Sequence, residues 1–241
     1  MAVHFNWTQL IDGVHHGNTH VATAAVVSVF LIALCVVGRF SLGSGEAAIV
    51  PAGRLSFKGF FEAIIELIAS MAEMVMGKNG SAYVPLFACI FLFVLTNNLV
   101  GLLPGMTPAT DNFNTTLALG IFVFITYNLI GIFKKKAGYI GDYTGHLPFK
   151  LGTFWLIPIM FPIELLSHCF RPMSLGLRLA GNMTGDHSVL GVFISILPSP
   201  FVYFVPIVFY ALGLLVCCIQ AVVFTLLSMA YVMMAQDVED H

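Results

Sequence analysis

The chain has 241 residues, 59% of them hydrophobic and only 9% charged, with a formal net charge of −2. A soluble globular domain carries about 25% charged residues, so this composition excludes an ordinary soluble domain and predicts an all-α polytopic membrane protein. The small net charge points to no particular partner, no phosphate-cradling glycine-rich loop is present, and nothing suggests nucleic-acid binding.

Residues 1–20 form a polar tail holding His4, His15, His16 and His20. Their irregular spacing favours a tail over a metal site. No Lys or Arg precedes Arg39, so the start reads neither as a signal peptide nor as an Arg-rich transit peptide. The first expected span is 21–42, followed by a linker with Gly43, Gly45, Pro51 and Gly53. Residues 54–77 differ in character, because Arg54, Lys58, Glu62, Glu66 and Glu73 are interleaved with apolar residues. Lys58, Glu62 and Glu66 recur every fourth residue and make one polar stripe. That pattern predicts an amphipathic helix lying at the interface or packed on a partner, not a span.

Two further spans are expected at 82–103 and 115–133, joined by "PGMTPATDNFN", which has no basic residue. Lys134, Lys135 and Lys136 follow, then a polar connector through Lys150. The rest divides into 151–197 and 201–236, interrupted by Pro158, Pro162, Pro172, Pro198, Pro200 and Pro206. As one helix, 201–236 would measure about 54 Å at 1.5 Å per residue, against a hydrocarbon core about 30 Å thick. Either Pro206 breaks it or it lies steeply tilted. Two overlong helices joined by "LPSP" predict a slanted hairpin. Cys35, Cys89, Cys169, Cys217 and Cys218 all lie in apolar segments and read as small core residues.

Lys and Arg placement sets the orientation. Arg39, Arg54, Lys58, Lys78, Lys134, Lys135, Lys136 and Lys150 share one side if 54–77 does not cross. That side is expected to be cytoplasmic, with the N-terminus outside and the C-terminus inside. Arg171 and Arg178 are the anomaly. An arginine stays charged, and at membrane depth that costs at least about 2.5–3.5 kcal/mol.

At 100° per residue, Glu164, Arg171, Ser174, Arg178 and Asn182 fall within about 40° of one direction, with His187 roughly opposite. One face carries fixed cations and another a group that titrates near neutral pH. Read from the residues alone, Arg178 either pairs internally with Glu164 or Asp186, or faces a carboxylate from elsewhere. Asn182 and Gln220 are interhelical hydrogen-bonding candidates, and Asn97 and Asn98 read as polar groups at a helix end.

The run "PMSLGLRLAGNMTGDH" at 172–187 resembles the signature of subunit a of the F-type ATP synthase membrane sector, bacterial type. "PIELLSHCFRP", "CCIQAVVFTLLSMAYV" and "TNNLVGLLPG" are similar to that family too, so the likeness covers nearly the whole chain. The resemblance implies a stator subunit whose inclined C-terminal hairpin wraps a rotating ring of c subunits in the bacterial inner membrane. It forms two offset proton half-channels there and has no nucleotide site, metal or cofactor of its own. Arg178 would face the ring's ion-carrying carboxylate, with Asn182 one turn away and Gln220 nearby on the last helix. Glu164 matches an acidic position of the cytoplasmic half-channel. His187 matches a position that is Glu in many bacterial members and His in mitochondrial ones. The last-helix histidine that complements that Glu corresponds to Gly213 here, so Asp186 or a water is the expected compensation. His187 and Asp186 would then line the periplasmic inlet. The amphipathic 54–77 helix is expected against the b subunits of the peripheral stalk.

A nearby cation favours the ionised form of a carboxylate, so a ring carboxyl reaching Arg178 would release its proton. Each proton crossing supplies about 2.3 kcal/mol per 100 mV. Two other classes compete with this reading. A secondary transporter would show inverted repeats, and no internal repeat is visible. A non-transporting scaffold would use Arg178 in a structural ion pair.

Overall fold

The computed structural model describes residues 7–10, 18–41, 57–103, 106–135, 157–196 and 201–236. Arg54, Lys136, Lys150, His4, His15, His16 and the expected hairpin turn at 197–200 lie outside the described residues, and of His187 only the backbone is described. The described elements are helical: α1 (Thr19–Ser41), α2 (Phe57–Met76), α3 (Val84–Val100), α4 (Phe113–Lys135), α5 (Ile157–Ile196) and α6 (Phe201–Gln236). Short 3-10 turns cover Trp7–Leu10, Gly77–Tyr83 and Ala109–Asp111. The chain is an all-α polytopic membrane protein, with four stretches among the described residues long and apolar enough to cross a bilayer: Thr19–Phe40, Gly80–Val100, Phe113–Lys135 and Val205–Gln236.

Among the described residues, α2 is not one of those four. Its polar stripe carries the Lys58–Glu62 pair at 3.6 Å, while Phe61, Ile68, Met71 and Ala72 bury on its other side. That is the helical spacing of a half-buried helix. Gly77, at φ 64°, ends it in the left-handed conformation that glycine adopts without strain. α5 is the longest helix, about 60 Å at 1.5 Å per residue, yet its polar residues keep it out of the four apolar spans.

α6 is the hub of the core. Ala221, Phe224, Met229 and Val232 meet Ile68 and Ala72 of α2, Phe87 and Val94 of α3, Tyr127 of α4, and Leu175 and Leu179 of α5. α6 continues through Pro206, and α5 through Pro162 and Pro172. Pro172 has no N–H to give the His168 carbonyl four residues earlier, but the helix carries on.

α4 and α5 touch backbone to backbone. A Cβ on Gly120 would lie 2.5 Å from the Pro172 carbonyl oxygen, and one on Gly176 3.0 Å from the Thr116 carbonyl oxygen. Small residues at such crossings let membrane helices approach closely. Asn98, read from sequence as a helix-end polar group, lies in the last turn of α3 and anchors the following segment: its Oδ1 accepts from the Thr110 hydroxyl at 2.9 Å, both buried.

Candidate functional site

The polar residues of the bundle gather along the antiparallel pair α5 and α6, at the middle and towards both ends. The middle is Arg178. Its side chain is exposed, and among the described residues it makes no hydrogen bond or ion pair, so neither Glu164 nor Asp186 engages it. One turn on, Asn182 Nδ2–H donates to Gln220 Oε1 at 2.7 Å, tying α5 to α6. Gln220 is buried, and its Nε2 finds no partner among the described residues. The Ser174 hydroxyl donates to the Arg171 carbonyl at 3.0 Å, turning inward on its own helix.

A stripe of large apolar residues flanks Arg178 on α5. Ile163, Leu166, Phe170, Met173 and Leu177 are all exposed. Their alternating three- and four-residue steps keep them in one line, about 100° round the helix from Arg178. Among the described residues, no other element covers that line.

Asp186 lies about 12 Å along the helix axis from Arg178. It is half-buried beside α6, where a Cβ on Gly213 would sit 4.0 Å from Asp186 Oδ2 and 2.9 Å from Leu102 Cδ2. The missing side chain at 213 therefore leaves the room that Leu102 occupies, with the Asp186 carboxylate at ordinary contact distance beside it. Two residues before Asp186, the Thr184 hydroxyl donates to Asp111 Oδ1 at 2.7 Å, bringing a second carboxylate from the α3–α4 connection. The neighbouring Asn112 Nδ2 lies 3.3 Å from His20 Nδ1, at the start of α1.

In the other direction Glu164 lies about 21 Å from Arg178. His168, one turn after it, places Nε2 3.4 Å from Glu164 Oε1 and Nδ1 3.3 Å from the Tyr127 hydroxyl. His168 and Tyr127 are both buried. The Arg171 guanidinium sits 5.7 Å from the Tyr231 ring centre, a cation–π distance, and Tyr231 stacks near Tyr127 at 5.9 Å. Nearer the helix ends, Lys134 Nζ donates to Gln236 Oε1 at 2.8 Å.

Of the residues singled out from sequence, Asn182 and Gln220 come together, and Asp186 meets Gly213. Glu164 and Arg178 share a helix but not a contact. Sequence reasoning missed His168, Tyr127, Asp111 and Thr184. His168 had a local signal, four residues after a carboxylate on a helix; the others become visible only when α4 and the α3–α4 connection are set against α5. The whole is a fixed cation with a carboxylate-bearing polar cluster on either side, separated by helix length. Such an arrangement can hold protons at two places and oppose their direct passage between them.

Residues 9–233 match the sequence family described as ATP synthase A chain. The protein called ATP synthase subunit a in Bdellovibrio bacteriovorus is 49% identical over 231 residues, covering 96% of this chain and 97% of that protein. Its namesake in Geobacter sulfurreducens is 39% identical over 208 residues, 86% of this chain and 85% of its own length. That of Citrifermentans bemidjiense is 38% identical over 216 residues, with coverages of 90% and 89%.

Proposed function

The chain belongs to the ATP synthase A chain family, and on that footing we propose how its polar axis works. It is the proton-channel stator subunit of an F-type ATP synthase, a membrane component of that complex. Its own part in the reaction is ion transfer, and ATP chemistry belongs to other subunits. Arg178 faces the ion-carrying carboxylate of a c-subunit ring. The observation that carries this role is an exposed cation at the middle of α5 with no partner among the described residues. Leaving a charge without a partner at membrane depth is expensive, so the partner comes from the neighbouring ring. The exposed apolar stripe beside it suits a surface of lipid-facing helices.

A ring carboxyl arrives neutral, loses its proton opposite Arg178 because the cation favours the ionised form, and regains one after passing. Asp186, with His187 next to it, lines the inlet on the Asp111 side; Glu164 lines the outlet on the lysine side. Arg178 repels a proton moving straight between them. Asn182 and Gln220 fix the α5–α6 spacing around it. The lysine side, with Arg39, Lys58, Lys134 and Lys135, is cytoplasmic by the positive-inside rule, which puts the N-terminus in the periplasm and the C-terminus in the cytoplasm of a bacterial inner membrane. The polar stripe of α2 meets the b subunits of the peripheral stalk.

The test is ATP-driven acidification of inverted vesicles, comparing the native complex with an assembled Arg178→Ala complex. Pumping is expected to vanish while the subunit inventory stays normal. Full pumping by that variant would return Arg178 to a structural role and remove the centre of this mechanism.

A further inference from the structure

The outlet carboxylate does not stand alone. We propose that His168 is a positioning residue for Glu164: it occupies one carboxylate oxygen, Oε1, and leaves Oε2 as the oxygen that exchanges the proton with water. This rests on the reading of Glu164 as a half-channel residue and goes beyond it, by assigning a residue and an atom.

Three observations carry it. Glu164 is half-exposed while His168 is buried, so water reaches the carboxylate but not the ring behind it. The ring is held at both nitrogens, by the Tyr127 hydroxyl at 3.3 Å and Glu164 Oε1 at 3.4 Å. A neutral imidazole donates from one nitrogen and accepts at the other. With the Tyr127 O–H donating to Nδ1, the ring proton sits on Nε2 and points at Oε1. The opposite tautomer would set a bare nitrogen against an ionised oxygen, which is repulsive. The ionised Oε1 thereby selects the tautomer, and the Tyr127 hydroxyl, which can donate or accept, turns to donate to the nitrogen left bare.

The third observation is the fate of the competing cation. Arg171 shares Glu164's side of α5 but lies two turns, about 10 Å, further along, and its guanidinium stacks on Tyr231 instead. Among the described residues, the polar side chain facing Glu164 is His168, with Nε2 3.4 Å from Oε1. The titratable groups seen against the ring, again among the described residues, are Glu164 on α5 and Tyr127 on α4, with Tyr231 of α6 beside Tyr127 and Arg171 over Tyr231. In the transfer, an O–H bond of a hydronium breaks and one forms at Oε2, while the Nε2 proton stays in place.

The experiment measures the rate and pH profile of ATP-driven pumping by assembled complexes in inverted vesicles. Four variants are compared with the native chain: His168→Leu, Tyr127→Phe, Glu164→Gln, and the double Glu164→Gln/His168→Leu. His168→Leu is expected to slow pumping about 3- to 10-fold, the worth of one hydrogen bond, and to move the pH profile. Tyr127→Phe, which loses a single hydroxyl and serves if the leucine variant does not assemble, moves the profile in the same direction by less. The double variant matches Glu164→Gln alone, because the histidine acts only through the carboxylate. An unmoved profile in His168→Leu or Tyr127→Phe, with Glu164→Gln impaired, overturns the inference and leaves Glu164 in its role. An equal loss from His168→Leu with or without Glu164 reduces the histidine to packing and overturns it as well. Unimpaired pumping by Glu164→Gln removes the outlet reading itself, and the inference with it.

Discussion

The two ends of α5 use the same chemistry in opposite constructions. At the Asp186 end, the carboxylates come from two different chain segments, and the missing side chain of Gly213 lets Leu102 pack beside Asp186. At the Glu164 end, one carboxylate is backed by the buried side chains of His168 and Tyr127, by the half-buried Tyr231, and by two helices in backbone contact at Gly120. One end is open and assembled from afar; the other is packed and locally wired. On the proposed function, one proton site is assembled from groups of separate segments and the other by fixing an acceptor's orientation.

If the open end works through its titratable groups, replacing both should hurt most. Asp186→Asn combined with His187→Ala is expected to lower proton flux by about 100-fold or more, the range for losing a positioned proton-transfer group. Passive proton flux through the membrane sector and its pH dependence are the measurements; values unchanged from native would dissolve the contrast. Filling the gap tests the same end sterically. Gly213→Leu should press on Leu102 and Asp186 and reduce flux a few-fold in a complex that still assembles. Flux at the native level would mean that the space is idle.

The packed end should respond in stability before it responds in flux. Gly120→Ala places a methyl group against the Pro172 carbonyl oxygen, 2.5 Å away before relaxation. Overpacking of this kind costs about 1–3 kcal/mol, to be read as a lower thermal midpoint of the purified complex. A variant as stable as the native complex would show that α4 and α5 are not tightly fixed to each other, and that the two ends differ less than their geometry suggests.

Much of this was legible before any coordinates. Composition gave the class, and the Lys58, Glu62, Glu66 stripe separated α2 from the spans, because helical periodicity is a local property. The Arg178–Asn182 run and Gln220 stood out because polar residues are rare in such surroundings. What escaped was whatever depends on two distant segments meeting. Asp111 reaches Thr184 across 73 positions and Tyr127 reaches His168 across 41, and no spacing rule connects residues so far apart. Pro206 was ambiguous for a different reason. A proline removes one hydrogen bond from a helix, but whether the helix breaks there depends on the packing around it, and α6 continues through.

The exposed row on α5, Ile163, Leu166, Phe170, Met173 and Leu177, has a mechanical consequence. Contacts between such side chains are non-directional, and each is individually weak. A ring of apolar helices sliding across this row would exchange one set of equivalent contacts for the next, with little difference in energy between positions. The row behaves as a bearing. Directional attraction on this face comes from Arg178, so the energy profile of rotation would be nearly flat, with one detent for each carboxylate that passes.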